Sequence, residues 1–124
     1  MTSRGKSRRA EIGTAEALHR AQVRELRTIP GVGASIANDL IDIGITSVQA
    51  LKGRSPDDLY DRSNRVAGVV QDRCLLYVFR CAVYFAGESA HDPEMLKWWN
   101  WSDENLAKNG KHAASTRGAR RRRA

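Results

Sequence analysis

Apolar positions recur at helical spacing in several stretches of the chain, and none of any length alternates as a half-buried strand would. Thr14 stands as a cap before Ala17, Leu18, Ala21 and Leu26, which predicts a first helix over roughly 15–28, stopped at Ile29-Pro30. Pro30, Gly31 and Gly33 then crowd three breakers into four positions. Ile36, Ala37, Leu40, Ile41 and Ile43 resume the helical pattern until Gly44 ends it. Ser47 begins a short turn that closes at Lys52-Gly53. Ser55-Pro56-Asp57-Asp58 reads as a helix start, with a capping hydroxyl, proline in the first turn and acids against the positive helix end, and it predicts a helix over about 56–63. Residues 64–70, with Gly68, read as a loop. Cys74 to Ala86 is the longest apolar stretch, interrupted only by Arg80, and predicts a helix near 72–87 buried on most sides. Asp92-Pro93-Glu94 opens a last predicted helix carrying Met95, Leu96, Trp98, Trp99 and Trp101, folded back over that spine. The expected architecture is all-α, an orthogonal bundle of about five helices in one domain over 13–106, between flexible basic tails at 1–12 and 107–124.

Charge changes the picture through its location. The chain of 124 residues carries a net +7, but residues 1–10 hold four positive charges and residues 111–124 hold six, leaving residues 11–110 at −3. The globular part is therefore not a generally basic surface. The tail arginines Arg117, Arg120, Arg121, Arg122 and Arg123 suit salt-dependent phosphate contact, which adds affinity without specificity; a solvated solubility tail is the competing reading. No run of about 18 apolar residues spans a bilayer and no signal-peptide pattern follows the basic start, so a cytoplasmic protein without membrane contact is expected.

The segment from Leu26 to Leu40 carries the chemistry. Leu26, Ile29 and Leu40 would lock two helices together, Ala37 is small where they cross, and Val32 plugs back into the pair. Gly31 and Gly33 are expected to take positive φ and to leave no side chain in the way of a ligand. Successive amides at the start of the second helix would then face solvent, a site suited to a phosphate oxygen.

This segment resembles the helix-hairpin-helix motif of DNA repair and replication proteins, in its apolar-x-x-apolar-x-Gly-apolar-Gly-x-x-x-Ala pattern. The resemblance implies contact with consecutive phosphates of one strand through the amides of Gly31, Val32, Gly33, Ala34 and Ser35, without base readout. Arg27, Lys52 and Arg54 are nearby candidates for charge pairing. A monovalent cation on the hairpin carbonyls is the one cofactor the resemblance brings; no other is expected. One position departs: a lysine or arginine frequently stands where this chain has Ser35, and Asp39 and Asp42 follow.

A wider likeness covers roughly 24–101. Ile29-Pro30-Gly31-Val32-Gly33, Leu51-Lys52-Gly53, the run from Ser55 to Tyr60, that from Asp72 to Tyr84 and Leu96 to Trp101 together resemble the small bacterial "pathogenicity locus" helix-hairpin-helix family, some of whose members are labelled mitomycin resistance proteins. The arrangement is also similar to the C-terminal domain of competence regulators of the TfoX type. Neither likeness supplies an enzyme, and no Ser/His/Asp, Walker or metal-dyad pattern is present, so a non-enzymatic, sequence-independent DNA-binding protein is expected. The alternative is a helical adaptor for a protein partner, favoured by the acidic core and the missing basic residue at Ser35. In that reading Trp98, Trp99 and Trp101 offer a surface for self-association or a partner.

Cys74 and Cys81 lie seven apart on one predicted helix, about 10 Å along its axis, too far to bridge to each other and without the close pairing of zinc ligands; both are expected as reduced core thiols, and no metal site is expected. Arg73 and Arg80 are expected along one helix edge, structural if paired with Asp72 or Asp61 and able to meet phosphate if unpaired.

Overall fold

The computed structural model describes residues 2–108, with side chains from Gly13 onward. It is a small all-α bundle of five α-helices: α1 (Thr2–Leu26), α2 (Ala34–Asp42), α3 (Pro56–Ala67), α4 (Cys74–Gly87) and α5 (Asp103–Lys108). Three 3-10 turns, Gln49–Leu51, Pro93–Leu96 and Trp98–Trp101, complete it, and no strand occurs among the described residues. The expected C-terminal tail from 109 onward lies outside the described residues.

The core gathers around α4. Leu75, Val78, Phe79 and Ala82 pack against Leu26 and Ile29 from the end of α1, Val32 from the turn, Ala37 and Leu40 from α2, then Ile43, Ile45, Leu51 and Leu59. Eight of these, Leu26, Ala37, Leu40, Ile45, Leu51, Leu59, Phe79 and Ala82, are wholly shielded from solvent. Burying a side chain of that size contributes about 1.5–3 kcal/mol each, less for alanine, so the α1–α2 pair is held by the same core that holds α4.

α3 follows its sequence signals closely. Ser55 Oγ accepts from the amide of Asp58 at 3.2 Å, Pro56 opens the helix, and Gly68 closes it at φ +76. The helix nevertheless runs four residues past the expected end, because Asn64 to Ala67 contain no breaker. The loop into α4 is tied down by Gln71. Its backbone N–H and its side-chain amide donate to Asn64 Oδ1 (2.9 and 3.0 Å), that amide also reaches Ser63 Oγ (3.0 Å), and Tyr60 Oη donates to its carbonyl at 2.5 Å. Asp72 Oδ1 then accepts from the amide of Cys74, where α4 begins.

Two helices differ from expectation. α1 starts at Thr2, upstream of Thr14, and takes in most of the stretch expected as an N-terminal tail; residues 2–14 contain arginine, lysine, alanine and glutamate and no proline, and helix runs through them despite Gly5 and Gly13. The last predicted helix is instead two 3-10 turns and the short α5, divided at Lys97, whose backbone is extended (φ −90, ψ 112). The carbonyls a continuous helix would use are engaged by side chains: Asn100 Nδ2 donates to Glu94 O (2.7 Å), Trp101 Nε1 to Met95 O (2.8 Å) and Asn105 Nδ2 to Trp99 O (2.7 Å).

Asp103 fastens this C-terminal segment to α4. Its carboxylate meets Arg73 Nε at 2.5 Å, Arg80 Nη1 at 3.0 Å and Tyr77 Oη at 3.2 Å, and Arg80 also donates to Trp101 O at 2.8 Å. Arg73 and Arg80 are thus structural, but through Asp103; Asp61 pairs with Arg65 instead. The Arg73 guanidinium, helped by Arg80 and Tyr77, holds the Asp103 carboxyl well below the usual carboxylate range. Asp103→Ala is expected to cost about 1 kcal/mol, a fall in Tm of several degrees, since the pairs are half exposed and Arg80 would keep only its bond to Trp101 O and its place over the Tyr77 ring. Because the carboxyl titrates lower in the folded chain, its stabilisation is complete above about pH 4 and is lost as pH falls further. The difference in Tm between wild type and variant should therefore shrink in acid, as thermal melts at stepped pH would show.

Cys81 is buried as expected, and burial pushes its thiol up to about 11; Cys74, at the exposed start of α4, is not a core thiol. No described helix is long and apolar enough to cross a membrane.

Candidate nucleic-acid interface

The turn between α1 and α2 is built by short backbone bonds. Arg27, Thr28 and Ile29 amides close the end of α1 onto Val23, Glu25 and Leu26 carbonyls, and the Val32 amide donates back to Ile29 O at 3.1 Å. Val32 itself is buried, as expected. Among the described residues nothing accepts from the amides of Gly31, Gly33, Ala34, Ser35 or Ile36; the first helical bond of α2 is Ala37 N to Gly33 O at 2.9 Å. Gly33 caps α2 without a side chain to fold over these amides. Four adjacent unpartnered donors thus stand at the positive end of a helix, where negative charge is favoured.

The two glycines play different parts. Gly31 has φ +88, the left-handed region, and a Cβ there would lie 2.9 Å from Trp98 Cδ1. Gly33 has φ −96 and ψ −170, an extended backbone any residue adopts, and a Cβ there would meet nothing within 4 Å. The expected positive φ holds at Gly31 alone; what Gly33 provides is open space. The Val32 amide, expected among the presented donors, is taken by Ile29, and the Ile36 amide stands in its place. Ala34 and Ser35 are exposed, as the reading requires.

Of the candidate cations, Arg27 follows α1 directly and is exposed. Lys52 and Arg54 belong to a separate turn, which Glu25 Oε2 ties to α1 by accepting from Val48 N at 2.8 Å; Arg54 Nε donates to Ala50 O at 3.3 Å. No bond joins Lys52 or Arg54 to the α1–α2 turn among the described residues. None of the three is in an ion pair there. Arg20 and Arg24 escape the sequence reading, yet with Arg27, one residue past the end of α1, they recur at i, i+4 and i+7, and all three are exposed. The tail arginines Arg117 and Arg120 to Arg123 lie outside the described residues.

An open groove of about 410 Å³ runs beside the turn, from Gly31 and Trp98 to Gln71 and Asp72, with Ile36, Leu75 and Val78 along it. Asp39 lines it without a partner among the described residues, and burial, together with the neighbouring Asp42, pushes its carboxyl up. The three tryptophans divide: Trp101 is buried, Trp98 packs on the core beneath Gly31, and Trp99, half exposed, meets Trp98 edge to face with ring centroids 5.8 Å apart.

Residues 19–107, which span the turn, the groove and the tryptophan segment, match the family model for Cdd1, described as pathogenicity locus. The chain belongs to the pathogenicity locus family. It is also 34% identical over 80 residues to mitomycin resistance protein McrB of Streptomyces lavendulae, a match covering 64% of this chain and 72% of the relative. No solved structure matches. Every element that builds the α1–α2 turn falls within the pathogenicity locus region, except the part of α1 before residue 19.

Proposed function

We propose that this member of the pathogenicity locus family is a cytoplasmic, non-catalytic protein that binds DNA without regard to sequence, using the α1–α2 turn as a helix-hairpin-helix. The observation that carries the reading is the set of unpartnered amides at Gly31, Gly33, Ala34, Ser35 and Ile36, held open by a core-packed Val32. Two to three charge-assisted bonds from such amides to one phosphate oxygen each are worth about 1.5–3 kcal/mol apiece when the donors are already in place. The exposed arginines Arg20, Arg24 and Arg27 supply the counter-charge that Ser35 does not, and Arg117 and Arg120 to Arg123 add a salt-dependent component. No cofactor is needed beyond a monovalent cation on the turn's carbonyls. The name of the McrB relative attributes mitomycin resistance to that protein; carried to this chain, it points to a role in DNA damage or repair.

A second reading, a helical adaptor for a protein partner, is favoured by one observation: Val66, Val69 and Val70 are each more than 60% exposed, beside the end of α3.

Amide chemical shifts separate the two. Titrating the 15N-labelled full chain with a short DNA duplex is expected to move the resonances of Gly31, Gly33, Ala34, Ser35 and Ile36 most. Shifts confined to residues 109–124, or the absence of any at the turn, would refute the hairpin reading.

A further inference from the structure

The groove beside the turn shares Gly31 with the amide surface, so a strand whose phosphate sits on those amides passes the mouth of the groove. Its volume, about 410 Å³, lies within the range of about 300–1,000 Å³ that small-molecule pockets occupy. One wall is aromatic, Trp98, and Ile36, Leu75 and Val78 are aliphatic, which suits a flat ring better than a phosphate or a sugar.

The polar groups decide what kind of ring. Gln71 has both its N–H directions engaged, by Ser63 Oγ and Asn64 Oδ1, each at 3.0 Å, so only its carbonyl oxygen remains for a ligand. Asp72 keeps free lone pairs after accepting from the Cys74 amide. Asp39 has no donor at all among the described residues. The donors left on the lining are the Trp98 indole N–H, the weakly donating Cys74 thiol and the Gly31 amide, and the amide belongs to the phosphate surface. The groove's side chains therefore present mainly hydrogen-bond acceptors.

We infer that this groove receives an unpaired nucleobase from the strand gripped by the turn, and that Asp39 selects bases carrying an amino group. Guanine offers N1–H and N2–H₂ together to one carboxylate, and cytosine offers N4–H₂. Thymine offers a single N–H between two carbonyl oxygens, which Asp39 repels. The preferred DNA is then one with an extruded or unpaired base: a bulge, a gap or a single-stranded end. Burial of Asp39 strengthens the selection, because a partly desolvated carboxylate gains more from a donor than an exposed one.

This rests on the DNA-binding reading, and the test keeps the two apart. Duplexes identical except for one bulged guanine, cytosine, thymine or abasic site are titrated with the full chain and with Asp39→Asn, at one salt concentration. The wild type is expected to hold the guanine bulge about tenfold more tightly than the thymine or abasic bulge. Asp39→Asn, whose amide can donate as well as accept, is expected to bring guanine and thymine together. Equal affinity for all four duplexes, with binding still weakened by bulk at Gly33, would overturn the base pocket and leave the phosphate grip standing. No binding to any duplex would overturn both.

Discussion

Replacing Gly31 by valine is expected to destabilise the fold by about 3 kcal/mol, lowering Tm by roughly 10 °C or more, with an earlier midpoint in urea. Two independent costs combine. At φ +88 a β-branched residue is strained in any surroundings, and its Cβ would sit 2.9 Å from Trp98 Cδ1. Trp98 has little room to give, because it packs on the core and against Trp99, and its segment is fastened at both ends by the Trp101–Met95 bond and the Asp103 network. A valine at Gly33, where nothing lies within 4 Å, should stay within about 1 kcal/mol of wild type. Equal melting of the Gly31 variant and wild type would contradict the packing described here. The consequence for functional work is direct: lost binding in a Gly31 variant reports on folding as much as on the turn.

Much of the bundle is legible in the sequence where local signals are strong. Ser55-Pro56 marks the start of α3, whereas its end lies at Gly68 and not at 63, where the sequence reading places it. The buried run from Leu75 to Ala82 identifies the central helix, and the pattern of Leu26, Ile29, Val32, Ala37 and Leu40 identifies the paired helices around the turn. What escapes the sequence is decided by contacts between distant residues. Asp103 is an unremarkable acid beside Ser102 until α4 brings Arg73 and Arg80 to it. The tryptophan segment has a proper helix start at Asp92-Pro93, yet side chains from Asn100, Trp101 and Asn105 engage its carbonyls and break it into turns.

The candidate site shows the same division. Two glycines around a valine suggest equal roles, and only the structure separates the left-handed Gly31, backed by Trp98, from the extended and open Gly33. The position of Asp39 along the groove depends on Trp98 and Gln71, far away in the chain, and no spacing rule places them together. The stripe of Arg20, Arg24 and Arg27 is legible in its helical spacing, but it lies apart from the apolar positions that predict the first helix.

The openness of Gly33 makes aspartate there a sharp probe of function. Its backbone already has the conformation a capping residue takes, so the new carboxylate can accept from the Ser35 or Ile36 amide and favour the positive end of α2. Stability should hold or rise by a few tenths to about 1 kcal/mol. The same carboxylate would occupy the donors proposed for phosphate and repel the phosphate itself, so duplex affinity should fall roughly 10- to 100-fold. Few substitutions separate folding from binding in opposite directions in this way.

The most direct measurement is fluorescence anisotropy of a labelled DNA duplex titrated with the full chain, wild type and Gly33→Asp side by side at physiological ionic strength, with melting curves of both. The expected variant melts no lower than wild type and binds at least tenfold more weakly. A variant equally well folded that binds as tightly as wild type would contradict the hairpin reading.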